Sequence, residues 1–93
     1  MTDLEREIPT EIQWVLRVDG HTDKRPIQSP QFRSNWDLSA GRAIAVVQYL
    51  ISKGVSPQHL VAAGFGEFQP LDTAENDEAY RRNRRIELKL TER

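Results

Sequence analysis

Residues 12 to 18, IQWVLRV, put Ile12, Trp14, Leu16 and Val18 on one side of an extended chain and Gln13, Val15 and Arg17 on the other. That two-residue period belongs to a strand covered mainly on one face. Gly20 follows as a breaker, and Pro26, Pro30 and several polar side chains make a long exposed loop from about His21 to Arg33. Ser34 stands three residues before Asp37, a capping-box-like start for a helix that runs through LSAGRAIAVVQYLISK and stops at Gly54. Trp36, Ala40, Ala43, Val47 and Leu50 fall on one face of it, so the spacing predicts an apolar stripe laid on a sheet. Ser56 and Pro57 open a short helical turn, and LVAAGFG reads as a short buried strand ended by Gly64 and Gly66. NDEAYRRNRR then places its acids first and its arginines last, as the helix dipole prefers. In the closing IELKLTE, Ile86, Leu88 and Leu90 alternate with Glu87, Lys89 and Thr91, a half-exposed strand.

Composition narrows the chemistry these elements can carry. The 93 residues suit one small domain, which buries about 60 to 65% of the surface its unfolded chain exposes. Thirteen basic and 14 acidic residues leave a formal charge of -1, an unhelpful field for a duplex nucleic acid. The one basic run, YRRNRR at 80 to 85, is flanked by Asp77, Glu78 and Glu87, with few aromatics to stack bases, and no nucleic-acid partner is expected. Cysteine is absent, which removes disulfides, thiolate metal sites and thiol nucleophiles together. His21, Thr22 and Asp23 suggest a hydrolase, yet no GxSxG accompanies them. With two histidines 38 positions apart, neither a metal nor another cofactor is expected. His21 is expected to order its loop by hydrogen bonding, His59 to sit on the surface, and Trp36 to enter the core or wall a pocket. No apolar run approaches the roughly 20 residues that span a bilayer, and MTDLEREIPTE is too charged for a signal peptide. A membrane association is therefore expected only through segments outside this chain.

Five phrases occur in an order that resembles one family: GHTD at 20 to 23, NWDLSAGRA at 35 to 43, GV at 54 to 55, AGFGE at 63 to 67 with Pro70, and NRRIE at 83 to 87. Together they are similar to the OmpA/MotB-type C-terminal peptidoglycan-binding domain, and the long PIQSPQFRSNW segment is closer to the MotB-like branch. The resemblance implies an α/β fold, a two-layer α/β sandwich. It also implies non-catalytic binding of the diaminopimelate of the peptidoglycan stem peptide, which anchors a membrane protein or motor stator to the cell wall. The location implied is the periplasm of a Gram-negative envelope, with a flagellar role if the stator branch holds. The family's contacts fall on Asp23, Asn35 and Arg42, with Thr22 and Leu38 lining the site and Asn83 and Arg84 at its rim. The alternative is a protein-protein interaction module of the same fold without peptidoglycan binding.

Two departures stand out. Ala79-Tyr80 replaces the family's Gly-Arg, and Gly41 lies inside the helix, where it costs about 1 kcal/mol unless close packing uses it. The whole chain, 1-93, reads as a single domain shortened at its N-terminus, the family's first strand and most of its first helix missing and residues 1-11 a remnant of that helix or a linker. An uncovered sheet edge would follow, and with it a homodimer or strand exchange.

Diaminopimelate ends in an ammonium and a carboxylate on one carbon, so a receptor needs an anion and a cation a few ångströms apart. Asp23, just past a strand end, and Arg42, about two turns into the helix, are of the right types, guanidinium being able to grip a carboxylate in a bidentate way. Spacing alone equally allows Asp23 to cap a turn and Arg42 to make a surface ion pair.

Overall fold

The computed structural model describes residues 14–27 and 31–92, so the expectation for residues 1–11 lies outside the described residues. Three strands form one sheet in the order β2-β1-β3. These are β1 (Trp14–His21), β2 (Leu60–Gly64) and β3 (Arg85–Glu92). β2 runs parallel to β1, with Leu16 opposite Leu60 and Gly20 opposite Gly64, while β3 is antiparallel, with Val18 opposite Leu88. Helix α1 (Asn35–Ser52) crosses over one face, and a short helix α2 (Asp77–Asn83) precedes β3. The result is the two-layer α/β arrangement expected.

The alternation in IQWVLRV does its predicted work, since Trp14, Leu16 and Val18 are buried beneath α1. Gly20 does not break the strand. β1 continues through it to His21 because a residue without a side chain is what the helix backbone at Ser39 can lie against. Gly64, opposite it, faces the backbone of Ala40 in the same way. LVAAG, expected to be buried, is instead an edge strand among the described residues with Val61 exposed, because α1 covers only one of its faces.

Ser34 caps α1 as its position implied, its Oγ accepting from the Asp37 N–H at 3.3 Å. The apolar stripe is rotated from the one read in the sequence. Asn35, Ser39 and Ala43 take the innermost places, and Trp36 is 52% exposed, stacked on Phe68 at 5.1 Å. Ser39 is tolerated there because its Oγ accepts from Gly66 N–H and donates to the Trp36 carbonyl. The Gly41 position is used, since Phe32 lies against it.

Both histidines depart from expectation. His59 stacks on Trp14 at 4.1 Å and its Nδ1 lies 2.9 Å from the Trp14 carbonyl oxygen, so it closes one end of the core. His21 is buried against Phe65, its rings 5.0 Å apart, and its Nδ1 has no hydrogen-bond partner among the described residues. Burial first, and the Arg85 guanidinium second, hold the His21 imidazole below its ordinary value, with Glu87 only partly opposing them. The unfolded chain therefore takes up a proton below about pH 6.5 that the folded one refuses, and stability falls as the pH drops from there toward the lower folded value. Thermal melts at pH 7.5 and 5.5 should show this loss, and His21→Phe should flatten it. An unchanged pH slope in that variant would place the titration elsewhere.

Candidate functional site

β1 delivers the chain to the site at its carboxyl end. Thr22 N–H donates to the Gly66 carbonyl at 2.9 Å and its Oγ1 to the Asp23 carbonyl at 2.9 Å, which pins the backbone as it leaves the sheet. Asp23 then turns the chain, its Oδ1 accepting from Arg25 N–H at 2.9 Å, the local bond that aspartate makes two residues ahead in turns. Its Oδ2 accepts from Arg25 Nη2 and from Arg84 Nη1, each at 2.7 Å, and from Arg25 Nε at 3.2 Å. Burial pushes the Asp23 carboxyl up, but hydrogen bonds from the Arg25 side chain and backbone and from Arg84 outweigh it and hold the group below the usual carboxylate range.

Asn35 is buried at the start of α1 and clamps this turn. Its Nδ2 donates to the carbonyls of Asp23, at 3.3 Å, and Arg25, at 3.1 Å, and reaches Glu67 Oε1 at 3.4 Å. One and two turns further along the same helix come Leu38 and Arg42. Arg42 is exposed and makes no ion pair among the described residues. The turn, α1 and the start of β3 thus enclose a cavity of about 360 Å³ lined by Thr22, Asp23, Arg25, Asn35, Leu38, Arg42 and Arg84, with Pro26 and Ile27 on its apolar side. Among the described residues, one carboxylate and three guanidiniums face it. Such a set can hold a carboxylate beside an ammonium, and nothing in it resembles a nucleophile with an adjacent base. No group of three or more histidine, aspartate or glutamate side chains gathers to bind a metal among the described residues.

Six of the seven residues singled out in the sequence meet at this cavity; Asn83 does not. Its Oδ1 accepts from the N–H groups of Leu71 and Asp72 at 2.9 and 3.1 Å, and its Nδ2 donates to the Asp72 carbonyl at 2.9 Å, so it fastens the preceding loop to the end of α2. Arg85 turns to the other face of the sheet, bonding the Gln69 carbonyl and Glu87. Asn83→Ala should accordingly cost stability, about 2 kcal/mol for two backbone donors left without their acceptor, with any change in ligand binding secondary; a melt unchanged within error would contradict this.

Arg25, the main partner of Asp23, escaped the sequence reading. The available signal was local: an aspartate in a turn bonds the N–H two residues on, and that residue here is an arginine. Its guanidinium also lies 4.7 Å from the centre of the Tyr80 ring, which is how the Ala79-Tyr80 departure reshapes the rim.

A family model described as the OmpA family matches residues 3–84. The chain belongs to the OmpA family. Within this family it is 35% identical over 77 residues to Motility protein B of Bacillus subtilis (strain 168), a match covering 82% of this chain and 30% of that protein. Its identity to the Peptidoglycan-associated lipoprotein of Pseudomonas aeruginosa is 38% over 72 residues, covering 77% of this chain and 40% of that one. Among solved structures, the C-terminal domain of Helicobacter pylori MotB aligns with a TM-score of 0.82 at 29% identity over 92% of this chain and 64% of that one. MotB relatives on both counts agree with the branch that PIQSPQFRSNW resembles. This OmpA-family chain spans about a third of the length of the curated relatives it matches.

Proposed function

We propose that the chain is a non-catalytic peptidoglycan-binding domain that grips the diaminopimelate of the stem peptide and so anchors a longer membrane protein to the cell wall. One observation carries the reading above all: Arg42, a guanidinium without an ion pair among the described residues, lines the same cavity as the buried carboxylate of Asp23. In this reading Asp23 takes the ligand ammonium and Arg42 its carboxylate. Leu38, Pro26 and Ile27 cover the methylene chain, and Asn35 and Thr22 hold the turn that presents Asp23. Arg84 shares the Asp23 carboxylate and supports the rim. Names of relatives add weight, since one is a peptidoglycan-associated lipoprotein and others are motility proteins. The domain would then face the wall from the periplasm of a Gram-negative envelope, tethered by segments outside this chain; no helix among the described residues is long and apolar enough to cross a membrane.

Pull-down with purified sacculi tests the reading. Diaminopimelate-type peptidoglycan should retain the protein and lysine-type should not, because lysine lacks the carboxylate that Arg42 would hold. Equal retention by both, or by neither, would refute it.

Self-association belongs to the same proposal. Ile86, Leu88 and Leu90 lie on the helix side of the sheet, opposite Gly20, Val18 and Leu16, yet remain exposed because α1 lies over β1 and β2. β3 is also an edge strand among the described residues, the kind of surface a second strand covers. Sedimentation at rising concentration should show a dimer, and a monomer throughout would remove this part.

A further inference from the structure

Asp23 is the one carboxylate lining the cavity among the described residues, and its side chain is only 8% exposed. An ammonium cannot reach a carboxylate so covered unless a covering group moves. Oδ2 already accepts three N–H bonds from Arg25 and Arg84, and Oδ1 one from the Arg25 backbone. A carboxylate has about four acceptor positions, so Asp23 is close to saturated.

Arg25 gives Asp23 two guanidinium N–H bonds and Arg84 gives one, so what separates them is where each side chain can go. Arg84 sits at the junction of α2 and β3, directly after the anchored Asn83, and its side chain is 36% exposed. Arg25 lies in the turn after β1, its side chain is 50% exposed, and besides Asp23 its guanidinium rests on the face of Tyr80. Arg25 is the group that can swing into solvent without moving a helix or a strand.

We infer that Arg25 is a displaceable latch on the ligand site: its guanidinium occupies the position on Asp23 that a ligand ammonium takes, and binding exchanges one cation for the other. The inference rests on the reading of Asp23 as the ammonium site. A half-exposed ion pair on one carboxylate oxygen together with a ring stack holds such a group by about tenfold. The binding-competent fraction is then about one tenth, and both the apparent affinity and the association rate are lowered by the same factor. The latch also sharpens selectivity. A simple amine gains only Asp23 and must displace Arg25 for it, whereas an ammonium with a carboxylate on the same carbon gains Arg42 as well. Arg25 therefore discriminates without being required for the grip itself.

The test compares the wild-type chain with Arg25→Gln and Tyr80→Leu for binding of free meso-diaminopimelate at fixed ionic strength, measuring both rate constants. Arg25→Gln should bind about tenfold more tightly, the gain lying in the association rate with dissociation little changed. Tyr80→Leu, which leaves every Asp23 hydrogen bond in place, should gain in the same direction by about threefold. It also carries the test if Arg25→Gln melts early. Affinity unchanged or weakened in a folded variant would overturn the latch, weakening marking Arg25 as a ligand contact. If no protein of the three binds the compound, the failure lies in the reading of the pocket, and the latch falls with it.

Discussion

Arg42→Ala should abolish retention on diaminopimelate-type sacculi while leaving the fold and its melting temperature almost unchanged. Arg42 is exposed on α1 and pairs with no carboxylate among the described residues, so truncation costs the folded state nothing it uses; surface changes of this kind stay within about 0.5 kcal/mol. Binding is different. A ligand carboxylate in the cavity loses its cation, and removing one partner of a desolvated pair costs about 2 to 5 kcal/mol, roughly 30-fold to several thousand-fold in affinity. Arg42→Lys should recover little, because an ammonium cannot reproduce the planar two-point grip. Titration of stem peptide against each variant, with circular dichroism as the control for folding, decides the matter. Retained binding by Arg42→Ala would leave the cavity without its carboxylate receptor and end the proposal.

Asp23→Asn contrasts with Arg42→Ala because Asp23 already works inside the fold. The neutral amide removes the charge that Arg25 and Arg84 pair with and turns one of the two acceptor oxygens into a donor, so this variant should lose both ligand and some stability. The wild-type carboxyl is held below its ordinary value, so its contribution is present above the unfolded value near pH 3.8 and disappears as the pH falls through the lower folded value. Asp23→Asn should lack that part of the acid transition, a signature that a mere surface aspartate would not give.

The contrast also explains what was legible in the sequence. Alternation placed β1 and β3, an apolar run placed β2, and caps and charge order placed both helices of the described residues, although the buried face of α1 is rotated from the one read and β2 and β3 stay largely exposed. The phrases around Asp23, Asn35 and Arg42 marked the cavity. Features that depend on a second element stayed hidden. Gly20 and a turn glycine look alike in sequence, and only the position of Ser39 tells them apart. His59 looked like surface until Trp14 lay under it. Asn83 belonged to the same phrase as Arg84, but one chain position at the end of α2 is enough to aim the two side chains at different neighbours.

Gly20→Ala should be the most destabilising single methyl addition in the domain. A Cβ at this position would overlap the Ser39 carbonyl oxygen and lie 2.9 Å from its carbonyl carbon. The obstacle is helix backbone, so no rotamer change relieves it and α1 must lift from the sheet. Overpacking of this kind costs about 1 to 3 kcal/mol, and lifting α1 also stretches the Ser39 Oγ bond to Gly66 N–H, worth about 1 kcal/mol more. For a domain of this size a total of about 3 kcal/mol lowers the melting temperature by roughly 12 to 24 °C. Gly64→Ala pushes on the same helix one residue along, at Ala40. The double variant should therefore cost less than the sum, since a helix already displaced by one methyl has made room for the second. Ligand binding should fall with stability even in the folded fraction, because Asn35, Leu38 and Arg42 ride on α1 whereas Asp23 rides on β1, and the glycine contact sets the distance between them. A Gly20→Ala protein that melts within about 5 °C of wild type and still binds would show that α1 can shift without disturbing the cavity, and that the helix-strand contact does not position Arg42.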